Sequence, residues 1–216
     1  MSNDKTCSES VYEQIKKRII SMEHKPGDAL IEQRICQELH VSRTPVRKAL
    51  RLLEREGLVS YIPNKGVYVK ALSMKEINEI YSIRALMEGY CARVAARIIT
   101  DEQISHLENT LEEARVKLDE GLLTEASVIA ADLHRVLIDL ADNKRIKQIL
   151  VEIGQEEGRL RLLSEGIAEK LMQSDIEHRG IVEAIKKRDA ILAEQRMVEH
   201  IKGVQLDAFS EYFSKK

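Results

Sequence analysis

Hydrophobic positions in the first third of the chain predict three short helices. Apolar side chains recur every three or four residues over Ser10–Met22 and again over Ile31–Leu39, which is the spacing of one helical face. A third helix is expected after Ser42, whose hydroxyl is a predicted N-cap, with Pro45 in its first turn. Gly57 is expected to end this helix, because glycine readily adopts the backbone conformation that follows a helix C-terminus.

The pattern then predicts a β-hairpin, after which the chain becomes helical throughout. Val59–Ile62 and Val67–Val69 are short strand-like runs around a Pro-Asn-Lys-Gly loop. From Met74 onward the apolar spacing is that of amphipathic helices. We therefore predict a mostly α fold with two domains. Residues 8–72 form a winged helix-turn-helix of three helices plus a β-hairpin, and residues 74–216 form an all-α helical bundle.

The composition supports a folded, mostly helical protein. Of the 216 residues, 44% are hydrophobic and only 4% are aromatic, with 10 glycines and 3 prolines. The three cysteines form no CxxC pair, which disfavours a disulfide framework or a zinc ribbon. The first ten residues hold no apolar run, and no segment approaches the length of a membrane span. We therefore expect no signal peptide, no membrane partner and a cytoplasmic location.

The distribution of charge along the chain leads to a different expectation from its total. The formal net charge of −2, taken alone, disfavours a nucleic-acid partner. Residues 1–72, however, carry 13 basic and 9 acidic side chains, whereas residues 73–216 carry 21 basic and 27 acidic ones. A basic N-terminal domain is therefore joined to an acidic C-terminal one.

The basic residues of the N-terminal domain gather on one face of the predicted third helix. This face carries Arg43, Thr44, Arg47, Lys48, Arg51 and Arg55. A recognition helix enters the DNA major groove with its N-terminus first, where arginine can bond guanine O6 and N7. Asn64, Lys65 and Gly66 at the hairpin tip are placed to approach the DNA backbone or minor groove. The alternative is that the basic run is only a solvated helix face.

Two segments resemble the signature of GntR-family transcription regulators, namely VSRTPVRKAL at residues 41–50 and LEREGLV at residues 53–59. The resemblance implies that Arg43, Thr44, Arg47 and Gly66 contact DNA. Ser42 would support these contacts. Lys48 stands where glutamate is common in the family, which makes this helix face more basic. The predicted DNA-binding residues are Ser42, Arg43, Thr44, Arg47, Lys48, Asn64, Lys65 and Gly66.

Three stripes of helical spacing in the C-terminal domain each contain one histidine, namely His134, His178 and His200. A single histidine on a core face is usually a hydrogen-bonded core residue, and this alternative stays open. Three imidazoles on three core faces are typical of a transition-metal site that keeps an open position for a water or ligand oxygen. The three histidines are therefore candidate metal ligands.

One charged residue also lies on a predicted core stripe. Met74–Thr100 is expected to be a single helix whose apolar stripe includes Ile98, and Arg84 is the exception on that stripe. A buried arginine needs an anionic partner. The anionic partner of Arg84 is either Glu88, one turn further along the helix, or an acidic ligand.

Residues 80–88, 134–143 and 177–200 resemble the FCD effector domain of the FadR subfamily. Metal-binding members of that subfamily use one aspartate and three histidines. The resemblance places the three histidine ligands at His134, His178 and His200. Ala130 occupies the position of the aspartate, so water or an effector carboxylate would complete the site. Zinc is the first expectation for a divalent transition metal, with nickel or manganese as alternatives.

The resemblance further implies a small carboxylate effector, such as a hydroxy acid, a sugar acid or a dicarboxylate. It would bridge the metal and Arg84, with help from Arg159 or Arg161. The resulting prediction is a ligand-responsive transcription regulator rather than an enzyme. We expect a repressor that binds an inverted-repeat operator in double-stranded DNA as a homodimer.

Two other functions stay open at this point. A metal-dependent hydrolase could use the three histidines, although no HExxH motif or placed general base accompanies them. A DNA-binding protein could also use a purely structural metal site without a small ligand.

Overall fold

The computed structural model describes residues 2–21, 23–70, 73–164 and 168–214, with side chains for residues 8–19, 21, 23–70, 73–154 and 168–210. The chain divides into two compact units, Met1–Ser73 and Met74–Lys216. In the described residues the first unit holds three helices and a small sheet, and the second holds helices alone. The predicted mostly α fold class is confirmed.

The first unit is a winged helix-turn-helix. Its helices are α1 (Ser2–Ile20), α2 (Glu32–Leu39) and α3 (Arg43–Arg55). Its strands are β1 (Ala29–Leu30), β2 (Val59–Ile62) and β3 (Gly66–Val69), in the antiparallel order β1-β3-β2. Tyr68 of β3 pairs with Ala29 on one side and with Ser60 on the other. The predicted hairpin is present and gains a third strand, which at two residues is too short to show a sequence period.

The apolar face of α3 is the centre of the first core. Val46, Ala49 and Leu53 are fully buried in one cluster with Ile15 and Ile19 of α1. Full burial of a valine, isoleucine or leucine side chain contributes about 1.5–3 kcal/mol. This burial determines which way α3 faces, so its polar residues point to solvent.

Two local details differ from the predictions for this unit. α1 begins at Ser2 rather than at Ser10, because its polar first turns carry no apolar period from which a helix could be predicted. Ser42 does occupy the N-cap position of α3, but its side chain makes no capping hydrogen bond. The predicted N-cap position of Ser42 is therefore correct, but its exposed hydroxyl does not bond to the helix amides.

The second unit consists of helices in all its described residues. They are α4 (Met74–Ile98), α5 (Asp101–Asp119), α6 (Leu123–Ala130), α7 (Asp132–Leu140), α8 (Lys144–Ser164), α9 (Ala168–Lys186) and α10 (Ala190–Ser214). None of the helices in the described ranges offers the length of apolar sequence that a bilayer crossing requires.

The end of α4 departs from the predicted stripe. Ile98 is 55% exposed and Ile99 is buried in its place. The predicted stripe places Ile98 three heptads after Ile77, whereas an ideal α-helix drifts by about 20° per heptad relative to that repeat, so the buried face has moved on to Ile99. The Ile99 amide still donates to the Ala95 carbonyl at 2.9 Å, as in a helix. α5 then starts at a capping box, in which the Thr100 hydroxyl accepts from the Gln103 backbone amide and the Gln103 side chain accepts from the Thr100 amide.

Helices α4 and α10 run antiparallel and lie close together. Asn78 accepts a hydrogen bond from the Gln205 side chain at 3.0 Å, and nearer the middle of both helices Gly89 faces Val198. A Cβ atom on Gly89 would lie 2.8 Å from the Val198 Cγ2 atom, so only glycine permits this approach. The close contact fixes the relative position of the two helices that carry Arg84 and His200.

Candidate functional site

The first candidate surface is the polar face of α3. Its exposed residues include Ser42, Arg43, Thr44, Arg47 and Lys48. Val46 and Ala49, on the opposite face, are fully buried. The structure therefore presents together all five residues that were predicted from this helix. They belong to the N-cap and the first two turns of α3, at the end whose free amides and dipole favour phosphate.

The wing tip is the second part of this surface. Asn64 and Gly66 have positive φ angles of 62° and 106°, and Asn64 and Lys65 are exposed. Nothing lies within 4 Å of a Cβ built on Gly66, so glycine is required here by the backbone conformation and not by crowding. The tight turn holds the tip of the wing in a defined conformation.

An ion pair on α3 was missed by the sequence analysis. The Nε atom of Arg47 donates to both carboxylate oxygens of Glu32, at 2.9 and 3.1 Å. Glu32 is the first residue of α2 and lies 15 positions earlier in the chain. No local pattern predicts this pair, because it depends on how α2 packs against α3.

In the second unit, the three predicted histidines converge. The Nε2 atom of His178 lies 3.2 Å from that of His134 and 3.1 Å from that of His200. His178 and His200 are each only 3% exposed. The three side chains come from α7, α9 and α10, so three helices place their imidazole nitrogens at one buried point.

Two carboxylates orient the imidazoles of this cluster through their Nδ1 atoms. Glu88 accepts a hydrogen bond from the His134 Nδ1 atom at 2.5 Å, and Glu177 accepts one from the His200 Nδ1 atom at 2.8 Å. A neutral imidazole that donates through Nδ1 keeps a lone pair on Nε2. The lone pairs of His134 and His200 are therefore directed at His178. Within the described residues, the His178 Nδ1 atom has no hydrogen-bond partner.

The electrostatic environment keeps the buried imidazoles neutral. Burial lowers the pKa of His178 well below its ordinary value, and the neighbouring His200 and His134 act in the same direction. Burial also lowers the pKa of His200, although its hydrogen bond to Glu177 opposes that effect. Neutral imidazole is the form that binds a metal ion.

Arg84 is held beside the cluster by Glu88. The Arg84 Nε atom lies 2.6 Å from a Glu88 carboxylate oxygen, and the guanidinium lies 5.5 Å from the centre of the Tyr81 ring. Burial raises the pKa of Glu88, but the charge of Arg84 and the contact with His134 outweigh it and hold that pKa well below its usual range. Glu88, only 3% exposed, is thus the ionised partner of both residues.

The cluster and Arg84 line one cavity of about 270 Å³. Further polar lining comes from Ser127, Ser174 and the ion pair between Lys170 and Asp207, which are 3.2 Å apart. The aliphatic lining is Ile138, Leu150, Ile153, Leu171 and Val204. Ala130 also lines the cavity, whereas the side chains of Arg159 and Arg161 lie outside the described residues.

The donor set fits a divalent transition metal. Two nitrogens bound to one zinc ion at about 2.0–2.1 Å lie about 3.3 Å apart, close to the two nitrogen–nitrogen distances observed here. Lone pairs that face one another repel unless a cation or a proton lies between them. Carboxylates behind two of the three imidazoles are a common arrangement around bound metals. The geometry and the chemistry of these residues are therefore compatible with a metal ion.

Sequence comparisons assign both units to families. Residues 7–69 match the model for bacterial regulatory proteins of the gntR family, and residues 79–203 match the FCD domain. The HTH-type transcriptional regulator YdhC of Bacillus subtilis (strain 168) is 31% identical over 193 residues, covering 88% of this chain and 85% of the relative. The HTH-type transcriptional repressor RspR of Escherichia coli (strain K12) is 27% identical over 197 residues, covering 91% and 86%.

Solved structures show the same fold. A transcriptional regulator GntR from Rhodococcus sp. RHA1 aligns with a TM-score of 0.72 at 22% identity, covering 94% of this chain and 97% of that one. McbR/YncC of E. coli aligns with a TM-score of 0.71 at 21% identity, covering 95% and 98%. The matched families and relatives are transcription regulators rather than enzymes. The chain therefore belongs to the GntR family of bacterial regulatory proteins, as a DNA-binding transcription regulator with an FCD domain.

Proposed function

We propose that this protein is a ligand-responsive repressor that senses a small carboxylate in its FCD domain. One observation carries the proposal. The buried imidazoles of His178 and His200, the half-buried imidazole of His134 and the Arg84 guanidinium meet at one cavity. The other unit of the chain presents an exposed basic helix. The names of two relatives, RspR and the gluconate operon repressor of Bacillus subtilis, support repression as the direction of control. DNA binding requires the cytoplasm as the working compartment.

The DNA-binding surface combines α3 with the tip of the wing. It comprises Ser42, Arg43, Thr44, Arg47, Lys48, Asn64, Lys65 and Gly66. Arg43, Thr44 and Arg47 lie on the leading half of α3, where a recognition helix reads base edges. Lys48 and Lys65 add positive charge that favours the phosphate backbone.

His134, His178 and His200 would hold the metal, with zinc as the first candidate and nickel or manganese as alternatives. When bound, the metal supplies a Lewis-acid centre for a carboxylate oxygen. Glu88 and Glu177 hold two of the imidazoles in the required tautomer. Because Ala130 has no ligand atom, the effector itself is the expected source of a further ligand.

The effector is a small carboxylate with a short non-polar part. Arg84 offers charge-assisted hydrogen bonds to the carboxylate, and Glu88 fixes the position of its guanidinium. Ser127 and Ser174 offer hydroxyl groups to a polar substituent. The aliphatic lining favours a ligand that buries some hydrocarbon as well.

The small size of the winged helix-turn-helix unit favours a homodimer on an inverted-repeat operator. A single winged unit recognises one half-site, and two-fold related half-sites match a two-fold dimer. For the effector to control DNA binding, it must favour one arrangement of the dimer's two winged helix-turn-helix units over another. We propose that the effector favours the arrangement that does not fit the operator.

The Arg47→Ala variant is expected to bind a cognate DNA site more weakly by about 1–3 kcal/mol, because it loses a side chain that reads a base. The site can be selected from a randomised duplex library with the wild-type protein, and affinities measured by fluorescence anisotropy at a fixed salt concentration. Arg55→Ala is the matched control, since it removes the same charge from the last turn of α3. Equal losses for both variants would assign Arg47 a purely electrostatic role.

Ligand sensing is tested with protein of measured metal content. We expect about one zinc, nickel or manganese ion per chain. A small carboxylate at 100 times its Kd should stabilise the metal-loaded protein by about 2.7 kcal/mol in thermal unfolding. The same compound should release the protein from its selected DNA site. If no carboxylate in a broad panel changes DNA affinity while metal is retained, the metal site is structural. Hydrolysis of the stabilising compound would favour an enzyme.

A further inference from the structure

We infer that Glu32 is a positioning residue for DNA recognition, which orients Arg47 so that its outer edge reads a base. The inference rests on the proposed role of Arg47 and concerns a residue outside the DNA-binding surface described above. Its starting point is the pair of hydrogen bonds from the Arg47 Nε atom to both oxygens of Glu32, at 2.9 and 3.1 Å.

The bonding pattern leaves the far edge of the guanidinium free for DNA. Arginine has five N–H donors, of which the contact with Glu32 uses only the one on Nε. A side-on contact with a base would need Nε, so the pair favours an end-on contact through the two terminal nitrogens. The side chain of Arg47 is 60% exposed and that of Glu32 is 34% exposed. Arg47 therefore lies further into solvent than the carboxylate that holds it.

Two other arginines of α3 lack this restraint. Among the described residues, Arg43 and Arg51 have no carboxylate within ion-pair distance, although both are exposed on the same face. An exposed ion pair contributes little to stability, so the pair is not explained by folding alone. Arginine side chains lose considerable rotamer freedom on binding, and a side chain that is already oriented loses less. Glu32 thus prepares Arg47 for a directional contact.

The charge of Glu32 has the opposite effect on DNA affinity in general. A carboxylate near an approaching phosphate backbone repels it, so the charge of Glu32 by itself opposes binding to DNA of any sequence. A positioning role therefore predicts two effects of opposite sign when Glu32 is removed. Affinity for random DNA rises, whereas affinity for the selected site falls. A purely structural role predicts changes of the same sign on both.

The test compares Glu32→Ala with Glu38→Ala. Glu38 lies on the same helix and also accepts from arginines, namely Arg18 and Arg34, so its removal is matched in charge and in lost ion pairs. Affinities are measured on a duplex selected from a randomised library and on a random-sequence duplex of equal length. Glu32→Ala should lower the ratio of the two affinities by about 3- to 10-fold, part of what a bidentate arginine contact supplies. Glu38→Ala should leave this ratio within about 2-fold of the wild type.

Two further variants separate positioning from folding. Glu32→Gln retains an oxygen that can accept from Arg47, so it should recover part of the ratio. In an Arg47→Ala background, Glu32→Ala should cause no further loss of base preference, because the residue through which it acts is gone. Circular dichroism and thermal unfolding report whether each variant is folded.

Each outcome decides between the proposals. The positioning role is supported if Glu32→Ala lowers the ratio of selected-site to random-sequence affinity and weakens base preference only at the base pair that Arg47→Ala also affects. An unchanged ratio for Glu32→Ala, together with a lowered one for Arg47→Ala, overturns the role of Glu32 and leaves that of Arg47 intact. An unchanged ratio for Arg47→Ala overturns both.

Discussion

The Glu88→Gln variant is expected to lose about 3–5 kcal/mol of unfolding free energy, because it removes the buried carboxylate that faces the Arg84 guanidinium. Glu88 is 3% exposed and contacts both Arg84, at 2.6 Å, and His134, at 2.5 Å. Glutamine keeps the shape of the side chain but removes the negative charge that faces the Arg84 guanidinium. Urea unfolding in the presence of a chelator measures the loss without a contribution from bound metal.

Glu79→Gln is the matched control for this variant. Glu79 lies on the same helix and pairs with Lys75 at 3.6 Å, but its side chain is 56% exposed. Exposed pairs of this kind are worth about 0–1 kcal/mol, so the control should remain close to the wild type. A Glu88→Gln variant that is as stable as Glu79→Gln would show that the buried network is not required for folding.

The same substitution also tests the link between Glu88 and the metal site. Loss of a carboxylate that orients a ligating histidine usually lowers metal affinity by about 10- to 100-fold. Glu88→Gln should therefore bind zinc more weakly than the wild type under conditions where both are folded. Unchanged zinc affinity would restrict Glu88 to a role in stability.

The His178→Ala variant is expected to bind zinc more than about 100-fold more weakly than the wild type, since the loss of a ligand should exceed that of an orienting group. His178 is the central member of the cluster, within 3.2 Å of both other imidazoles. Competition with a chromophoric chelator measures the affinity, and elemental analysis of the purified protein measures the metal content. At 100 times its Kd, zinc should stabilise the wild type by about 2.7 kcal/mol and the variant hardly at all.

His106→Ala is the control for nonspecific zinc binding, because the His106 side chain is 61% exposed and lies outside the cluster. His134→Ala should reproduce the loss seen for His178→Ala, from a less buried position. Full metal content in both cluster variants would rule out the proposed site. The cluster would then be a neutral hydrogen-bonded core.

The helices and their faces were largely predictable, because each depends on residues that are close in sequence. The period of Val46, Ala49 and Leu53 placed one face of α3 in the core, and this alone directed Arg43 and Arg47 to solvent. An error occurred where a strict seven-residue repeat was extended along a helix of 25 residues. The helical period of 3.6 residues drifts away from that repeat, so the buried position near the end of α4 is Ile99 rather than Ile98.

Within the candidate sites, the partners of the functional residues were less predictable than the residues themselves. Glu88 was one of two alternatives for Arg84, because it lies one turn away on the same helix. Its contact with His134 spans 46 positions, and that of Glu177 with His200 spans 23. Such contacts require specific packing of separate helices, which no local pattern contains.

Local periodicity was thus sufficient for the winged head, the helical second unit, the exposed basic face of α3 and the inward position of three histidines. Burial of apolar side chains determines all of these features, and the spacing of apolar residues along the chain shows which positions are buried. Tertiary packing decided that three imidazole nitrogens meet at one point, that Glu88 joins Arg84 to His134, and that Glu32 holds Arg47. These contacts depend on ångström-scale distances between helices, which arise only when the whole core is assembled.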